Sequence, residues 1–244
     1  MAEAILWGKR KKEDELKSIQ DRLREDENRK RLLQTTSYDL VKSLMIYRAE
    51  KKFDEKFILD ENNKLIFEIL CNYFGNDENF NSLCKSVGIE NTSLNKGIFL
   101  AGNFGVGKTW MMKLFRQNQR QCFFIKPAKD IADEFMQEGD DFMDEYINTR
   151  KNALNDSSVF LQPYSGICID DLGTEDIKNH FGNKKNVIGD IIEKKYARSS
   201  VGVFLHATTN LTADQLKDFY GGRVTSRMRE IFNFIELRGK DRRK

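Results

Sequence analysis

Apolar residues fall along this chain in two rhythms, and the change comes near Phe57. Beyond it, short unbroken apolar runs alternate with stretches of helical period. The runs are GIFLA (Gly97–Ala101), CFFIK (Cys122–Lys126), GICID (Gly166–Asp170), VGVFLHATTN (Val201–Asn210) and FNFIEL (Phe232–Leu237). Each is rich in Ile, Val and Phe without polar alternation, as in strands covered on both faces. The pattern predicts an α/β domain over 56–244, with a parallel sheet of about five strands flanked by helices. A helix over NNKLIFEILCNYF precedes the first strand, and another over TWMMKLFRQNQ sets Trp110, Met111, Leu114 and Phe115 on one face.

Residues 1–55 read differently. KRKKEDELKSIQDRLREDENRKRLLQ consists of helix formers with only a thin apolar stripe at Leu16, Ile19, Leu23 and Leu32. SYDLVKSLMIYRAEKKF is more amphipathic, with Leu40, Leu44, Met45 and Tyr47 at helical spacing. Two readings stay open for this helical N-terminal module: a solvated hairpin packed on the main domain, or a docking element for a partner protein.

Composition narrows the field. A chain of 244 residues, 39% hydrophobic and 32% charged, suffices for one α/β core and a small appendage. A net charge of +3 argues against global attraction to nucleic acid, so any such surface is a local patch. The four cysteines (Cys71, Cys84, Cys122, Cys168) are widely spaced, and two sit in apolar runs, as buried thiols do in a reducing compartment. The amino-terminal order of apolar then basic residues is the reverse of a signal peptide, and no run approaches a membrane span. The expectation is a cytoplasmic protein without a membrane partner.

The candidate chemistry begins at the end of the first strand. Gly102, Asn103, Phe104, Gly105, Val106, Gly107, Lys108 and Thr109, followed by Trp110, satisfy the G-x-x-x-x-G-K-[ST] pattern between a strand and a helix. Glycines let successive N–H groups converge on phosphate oxygens, and the helix start adds partial positive charge. Lys108 is expected to reach the β- and γ-phosphates of ATP, and Thr109 to ligate Mg²⁺. The strand GICID ends in Asp170, a candidate Mg²⁺ ligand, and Asp171, a candidate for polarising the attacking water. The next strand ends at Asn210, placed to touch the γ-phosphate or that water. GGRVTSRMREIF then carries Arg223, Arg227 and Arg229, with 223 and 227 on one helical face.

The order GNFGVGKT, ICIDDLG, ATTN and GGRVTSRM resembles the AAA+ ATPases of the DnaC/DnaI helicase-loader family, with the IstB transposition helpers as close relatives. The resemblance covers roughly Phe57 to the carboxyl end. It implies an AAA+ P-loop fold in which Lys108 and Thr109 are Walker A, Asp170 and Asp171 Walker B, Asn210 sensor 1, and Arg227 an arginine finger with Arg223 beside it. It also implies an ATPase that self-associates and assembles with a replicative DNA helicase on single-stranded DNA. Two features depart from the commonest AAA+ pattern. Walker B ends Asp-Asp rather than Asp-Glu, which shortens the second acid by a methylene and implies slow, partner-stimulated hydrolysis. The chain also ends at Lys244, directly after the last apolar run, so no C-terminal helical lid is expected. An IstB-like helper on duplex DNA, or a P-loop kinase of a small molecule, are the alternatives.

Three further features stand beside these motifs. Lys178, His180, Phe181, Lys184 and Lys185 lie in a basic stretch that either tracks a phosphate backbone or is an ordinary solvated loop. The acidic segment after Ala128 argues against DNA contact through its face. The basic tail ending RGKDRRK either frays or brings Arg242 near the nucleotide, and His206, inside an apolar strand, reads as a core residue.

Overall fold

The computed structural model describes residues 37–51, 59–118, 120–138, 166–176, 178–180, 183–197 and 205–242. The charged helix expected before Ser37, most of the acidic segment after Glu138, Phe181 and the first residues of the run at 201 lie outside them. Contacts divide the chain between Thr36 and Ser37, and every described residue belongs to the second unit.

That unit opens with α1 (Tyr38–Lys51), α2 (Lys64–Phe74) and α3 (Asn79–Ser86), then β1 (Gly97–Ala101) and α4 (Lys108–Phe115). β2 (Phe123–Pro127), α5 (Ala128–Glu138) and β3 (Gly166–Leu172) follow. The ribbon strands β4 (Lys178–His180) and β5 (Asn183–Lys185) precede α6 (Val187–Ala197), β6 (Leu205–Thr209), α7 (Ala213–Ile231) and β7 (Phe232–Glu236). The sheet order is β2-β3-β6-β1-β7 and every pairing in it is parallel. This is the α/β architecture expected from the five apolar runs.

Alternate residues of each strand feed opposite layers, as the pleat requires. Ile98, Leu100, Cys168 and Ile235 join α1 to α4 in one buried cluster. Phe99, Ile167, Ile169, Leu205, Ala207 and Phe232 join α5, α6 and α7 in the other. His206 is wholly buried, against the rings of Tyr73, Phe74 and Phe123, as a core residue should be. All four cysteines are buried free thiols.

Two local expectations change. On α1 the inward stripe is Val41, Met45 and Ala49, while Leu40 and Tyr47 face solvent. The four-residue spacing of 41, 45 and 49 matches the ridge that packs along a helix, and α2 supplies the facing surface. The basic stretch after β3 is an antiparallel ribbon rather than a loop, pairing Lys178 with Lys185 and His180 with Asn183.

Candidate functional site

Parallel sheets place their ligands beyond the carboxyl ends of the strands, and the sequence motifs gather there. After Ala101 the chain turns through Gly102–Gly107 and enters α4 at Lys108. Gly107 holds φ +99°, a conformation that L side chains resist, and a Cβ there would meet nothing within 4 Å. No side chain caps the start of α4, so its first turn presents an anion-binding end to an open mouth. Lys108 lies nearly buried beneath this turn. Its ammonium donates to Gly102 O at 2.8 Å, Asn103 O at 2.9 Å and Asn210 Oδ1 at 2.5 Å. Trp110, which follows, is partly buried and packs against the first apolar cluster.

Strand order brings in the rest. β6 lies between β1 and β3, so its end stands between the glycine loop and the paired acids. Thr109 Oγ1 donates to Asp170 Oδ1 at 2.9 Å, and Thr208 Oγ1 donates to the same oxygen at 2.6 Å. The Thr208 hydroxyl also accepts the Asp171 N–H at 2.9 Å. That bond replaces a ladder contact where the β3–β6 register shifts between Ile169 and Leu172. The irregularity sets Asp171 at φ +54°, and its carboxylate accepts Asn210 Nδ2 at 3.0 Å. One hydrogen-bonded chain thus runs Lys108–Asn210–Asp171, and another Thr109–Asp170–Thr208. Thr208 was not among the sequence candidates; its signal was a hydroxyl pair, Thr208 and Thr209, closing an otherwise apolar strand.

Burial pushes the Asp170 carboxyl above the usual range, and the charge of Asp171 adds to this, while the two threonine hydroxyls oppose it. A cation would relieve the crowding of two carboxylates. Thr109 and Asp170 are hard oxygen donors on one side of the loop, the donor chemistry Mg²⁺ takes. The residues present therefore fit Mg·ATP: a glycine cradle, a lysine and an oxygen pair. Glu175, also missed from sequence, braces the turn that follows. Its carboxylate accepts Gly173 N–H at 2.8 Å and the buried Tyr220 hydroxyl. Burial raises its pKa too.

The arginines stand apart from this cluster. β7 begins with Phe232 beside Gly97, the first residue of β1, at the end of the strand opposite the glycine loop. Arg223, Arg227 and Arg229 precede that point on the second half of α7, after the break at Gly221. Arg227 pairs with Glu230 at 3.1 Å, and Arg223 with Glu193 at 2.9 Å.

The tail, in contrast, is tied to the loop. Leu237 N–H donates to Ala101 O at 2.8 Å and Arg242 N–H to Gly105 O at 3.0 Å. The Asp241 carboxylate lies where a Cβ on Gly105 would stand, 1.7 Å from its ideal position. Arg242 closes the arrangement with an ion pair to Asp60 at 2.7 Å. Phe104, at the tip of the loop, is 62% exposed.

Comparison with solved structures gives a candidate primosome component from Streptococcus pyogenes serotype M3. It has a TM-score of 0.50 and 14% identity, over 77% of this chain and 85% of that one. What the two share is the fold, a parallel sheet flanked by helices. A DnaC helicase loader aligns at TM-score 0.39 and 18% identity, over 64% of this chain and 88% of its own. The replication initiator DnaA, bound to AMPPCP and single-stranded DNA, aligns at 0.42 and 18%, over 75% of this chain and 49% of its own. At these identities the likeness concerns the fold alone. No protein-family profile matches the sequence, and no curated protein matches it. Among the described residues no helix is long and apolar enough to cross a membrane.

Proposed function

We propose that this protein is an ATPase of the helicase-loader type. It binds ATP with Mg²⁺, assembles with copies of itself and with a replicative DNA helicase on single-stranded DNA, and hydrolyses ATP with help from a neighbouring copy. The observation that carries the reading is the convergence of Lys108, Thr109, Asp170, Asp171 and Asn210 at one end of the sheet. The helicase partner is what the resemblance of the motif order to the helicase-loader family implies, and the likeness to a candidate primosome component is in keeping with it.

In this reading the Gly102–Thr109 backbone and Lys108 hold the phosphates, with Lys108 exchanging its carbonyl partners for phosphate oxygens. Thr109 and Asp170 hold Mg²⁺, which when bound neutralises charge on the β- and γ-phosphates. Asp171 orients the attacking water and takes up its proton, and Asn210, bonded to both Asp171 and Lys108, keeps that water and the γ-phosphate in line. Arg227, on the second half of α7 ahead of β7, completes the site of the adjoining copy.

The test is capture of the replicative helicase encoded by the same genome, with and without Mg·ATP, alongside ATP turnover. ATP-dependent capture and turnover that Asp171→Asn abolishes while keeping nucleotide affinity is the expected result. Tight ATP binding with no helicase capture would leave a P-loop switch serving another partner and refute the loader assignment.

A further inference from the structure

Arg227 is held in a defined pose on an exposed face, and the group that holds it comes from a different helix. Its guanidinium carbon lies 4.0 Å from the ring centroid of Tyr196. Tyr196 stands in the last turn of α6, which packs beside α7. One turn earlier on each helix, Glu193 pairs with Arg223. Glu193–Arg223 and Tyr196–Arg227 thus form successive rungs between the helices, and the rungs differ in kind. The Arg223 side chain is 80% exposed and held by a carboxylate in water, a contact that fixes little. Arg227 is 34% exposed and rests on an aromatic face.

A stacked ring engages the face of a guanidinium and fixes its plane, while the N–H donors along its edge stay available to other partners. Glu230 occupies one of those donors, Nη1, from three residues further along the helix and is itself half exposed. An exposed carboxylate of this kind exchanges readily for a better anion. A planar fork, fixed by its face and weakly paired at its edge, suits the oxygens of a phosphate group. The cluster of Lys108 and the paired acids lies at the opposite end of β1, so that phosphate belongs to another molecule.

We infer that Tyr196 is the positioning residue for Arg227: its ring sets the guanidinium for the γ-phosphate bound by a second copy of the chain, and Glu230 neutralises it until the copies meet. The inference rests on the reading that Arg227 acts between subunits, and it adds the element that makes the arginine competent beforehand. Ordering a long side chain in advance removes an entropic cost from the assembled state.

Mixing experiments separate the two ideas. Lys108→Ala lacks a working phosphate site but keeps its arginine; Arg227→Ala is the converse. Recovery of ATP turnover in that mixture establishes an arginine acting between subunits. Tyr196→Leu keeps side-chain bulk, and hence the fold, while removing the ring. Alone it should bind ATP like the wild type and turn over about tenfold more slowly, the scale of a lost cation–π contact. Mixed with Lys108→Ala it should recover activity, because the Leu-bearing subunit still offers an intact phosphate site. Mixed with Arg227→Ala it should recover nothing, because both defects lie on the arginine-donating side. Tyr196→Phe should behave as wild type. Recovery with Arg227→Ala, no recovery with Lys108→Ala, or a Tyr196→Phe as slow as Tyr196→Leu overturns the role of Tyr196 and leaves the arginine reading standing. Absence of recovery between Lys108→Ala and Arg227→Ala overturns both.

Discussion

The Lys108 ammonium donates to Asn210 Oδ1 across 2.5 Å, joining residues 102 positions apart in the chain. The contact exists because β6 lies beside β1, so the residue after β6 arrives at the mouth of the glycine loop. Asn210 then passes the link to Asp171, and the lysine that would hold a phosphate is coupled to the acid that would orient water.

Lys108→Ala removes the charge without touching either apolar cluster. The variant should keep its circular dichroism spectrum and lose ATP affinity by roughly 10- to 100-fold, the scale of charge-assisted hydrogen bonds to phosphate. Calorimetric titration with Mg·ATP measures it. Unchanged affinity would exclude Gly102–Thr109 as the phosphate site.

Thr208 is wholly buried and uses its hydroxyl twice, toward Asp170 and from the Asp171 N–H. Thr208→Val preserves shape but leaves the Asp171 N–H without its acceptor and Asp170 Oδ1 with the Thr109 hydroxyl alone. Urea unfolding should show a loss of about 1–2 kcal/mol, and Mg²⁺ should be needed at higher concentration for ATP binding. A stability equal to wild type would mean that water replaces the hydroxyl and that the bridge is dispensable.

The boundary between Thr36 and Ser37 is testable by truncation. A chain beginning at Ser37 retains α1 and should unfold cooperatively at the wild-type urea midpoint while binding ATP. One beginning at Lys56 also loses Val41, Met45 and Ala49 from the first cluster. It should be less stable by roughly 4 kcal/mol, from about 1.5–3 kcal/mol for each larger side chain. If residues before Ser37 carry the helicase contact, the chain from Ser37 binds nucleotide but no longer captures helicase. Capture at wild-type strength would move that contact to the α/β unit.

His206 makes a prediction about pH. Its Nδ1 accepts the Ile98 N–H at 2.9 Å, and its Nε2 has no hydrogen-bond partner among the described residues. Burial, and secondarily the nearby Arg120 guanidinium, lowers its pKa from 6.5 to about 3. The unfolded chain therefore binds a proton that the folded one refuses between these values. The stability tied to neutral His206 is complete above pH 6.5 and is lost progressively as pH falls toward 3. Below about pH 6 the slope from this group should approach 1.4 kcal/mol per pH unit. The chain has only two histidines, so imidazole resonances followed by NMR test it directly. His206 should show no titration down to pH 5, and a midpoint near 6.5 would refute its burial in the neutral form.

What is local was legible in the sequence. Unbroken apolar runs announced five strands because a strand covered on both faces has no polar side to show, and the helical periods announced the layers over them. The glycine loop was readable because its backbone needs particular residues at fixed spacing, and Asp170, Asp171 and Asn210 stood out as candidates because each closes an apolar run of the sequence. The ribbon at 178–185 was not, since three-residue strands carry too few side chains to establish a period.

The tertiary structure alone decided which of these ends meet. Placing β6 between β1 and β3 is a choice among sheet orders that leave every strand equally apolar, so no composition or spacing could reveal that Thr208 would bridge the two acids. The same holds for Tyr196 under Arg227, which depends on how α6 lies against α7 after the break at Gly221. It holds for the tail as well: Arg242 finds Gly105 and Asp60 because β7 runs parallel to β1 and delivers the chain to the loop. Local free energies select the elements, but side-chain encounters across 37, 102 or 182 positions come from packing, which is satisfied only by the whole fold.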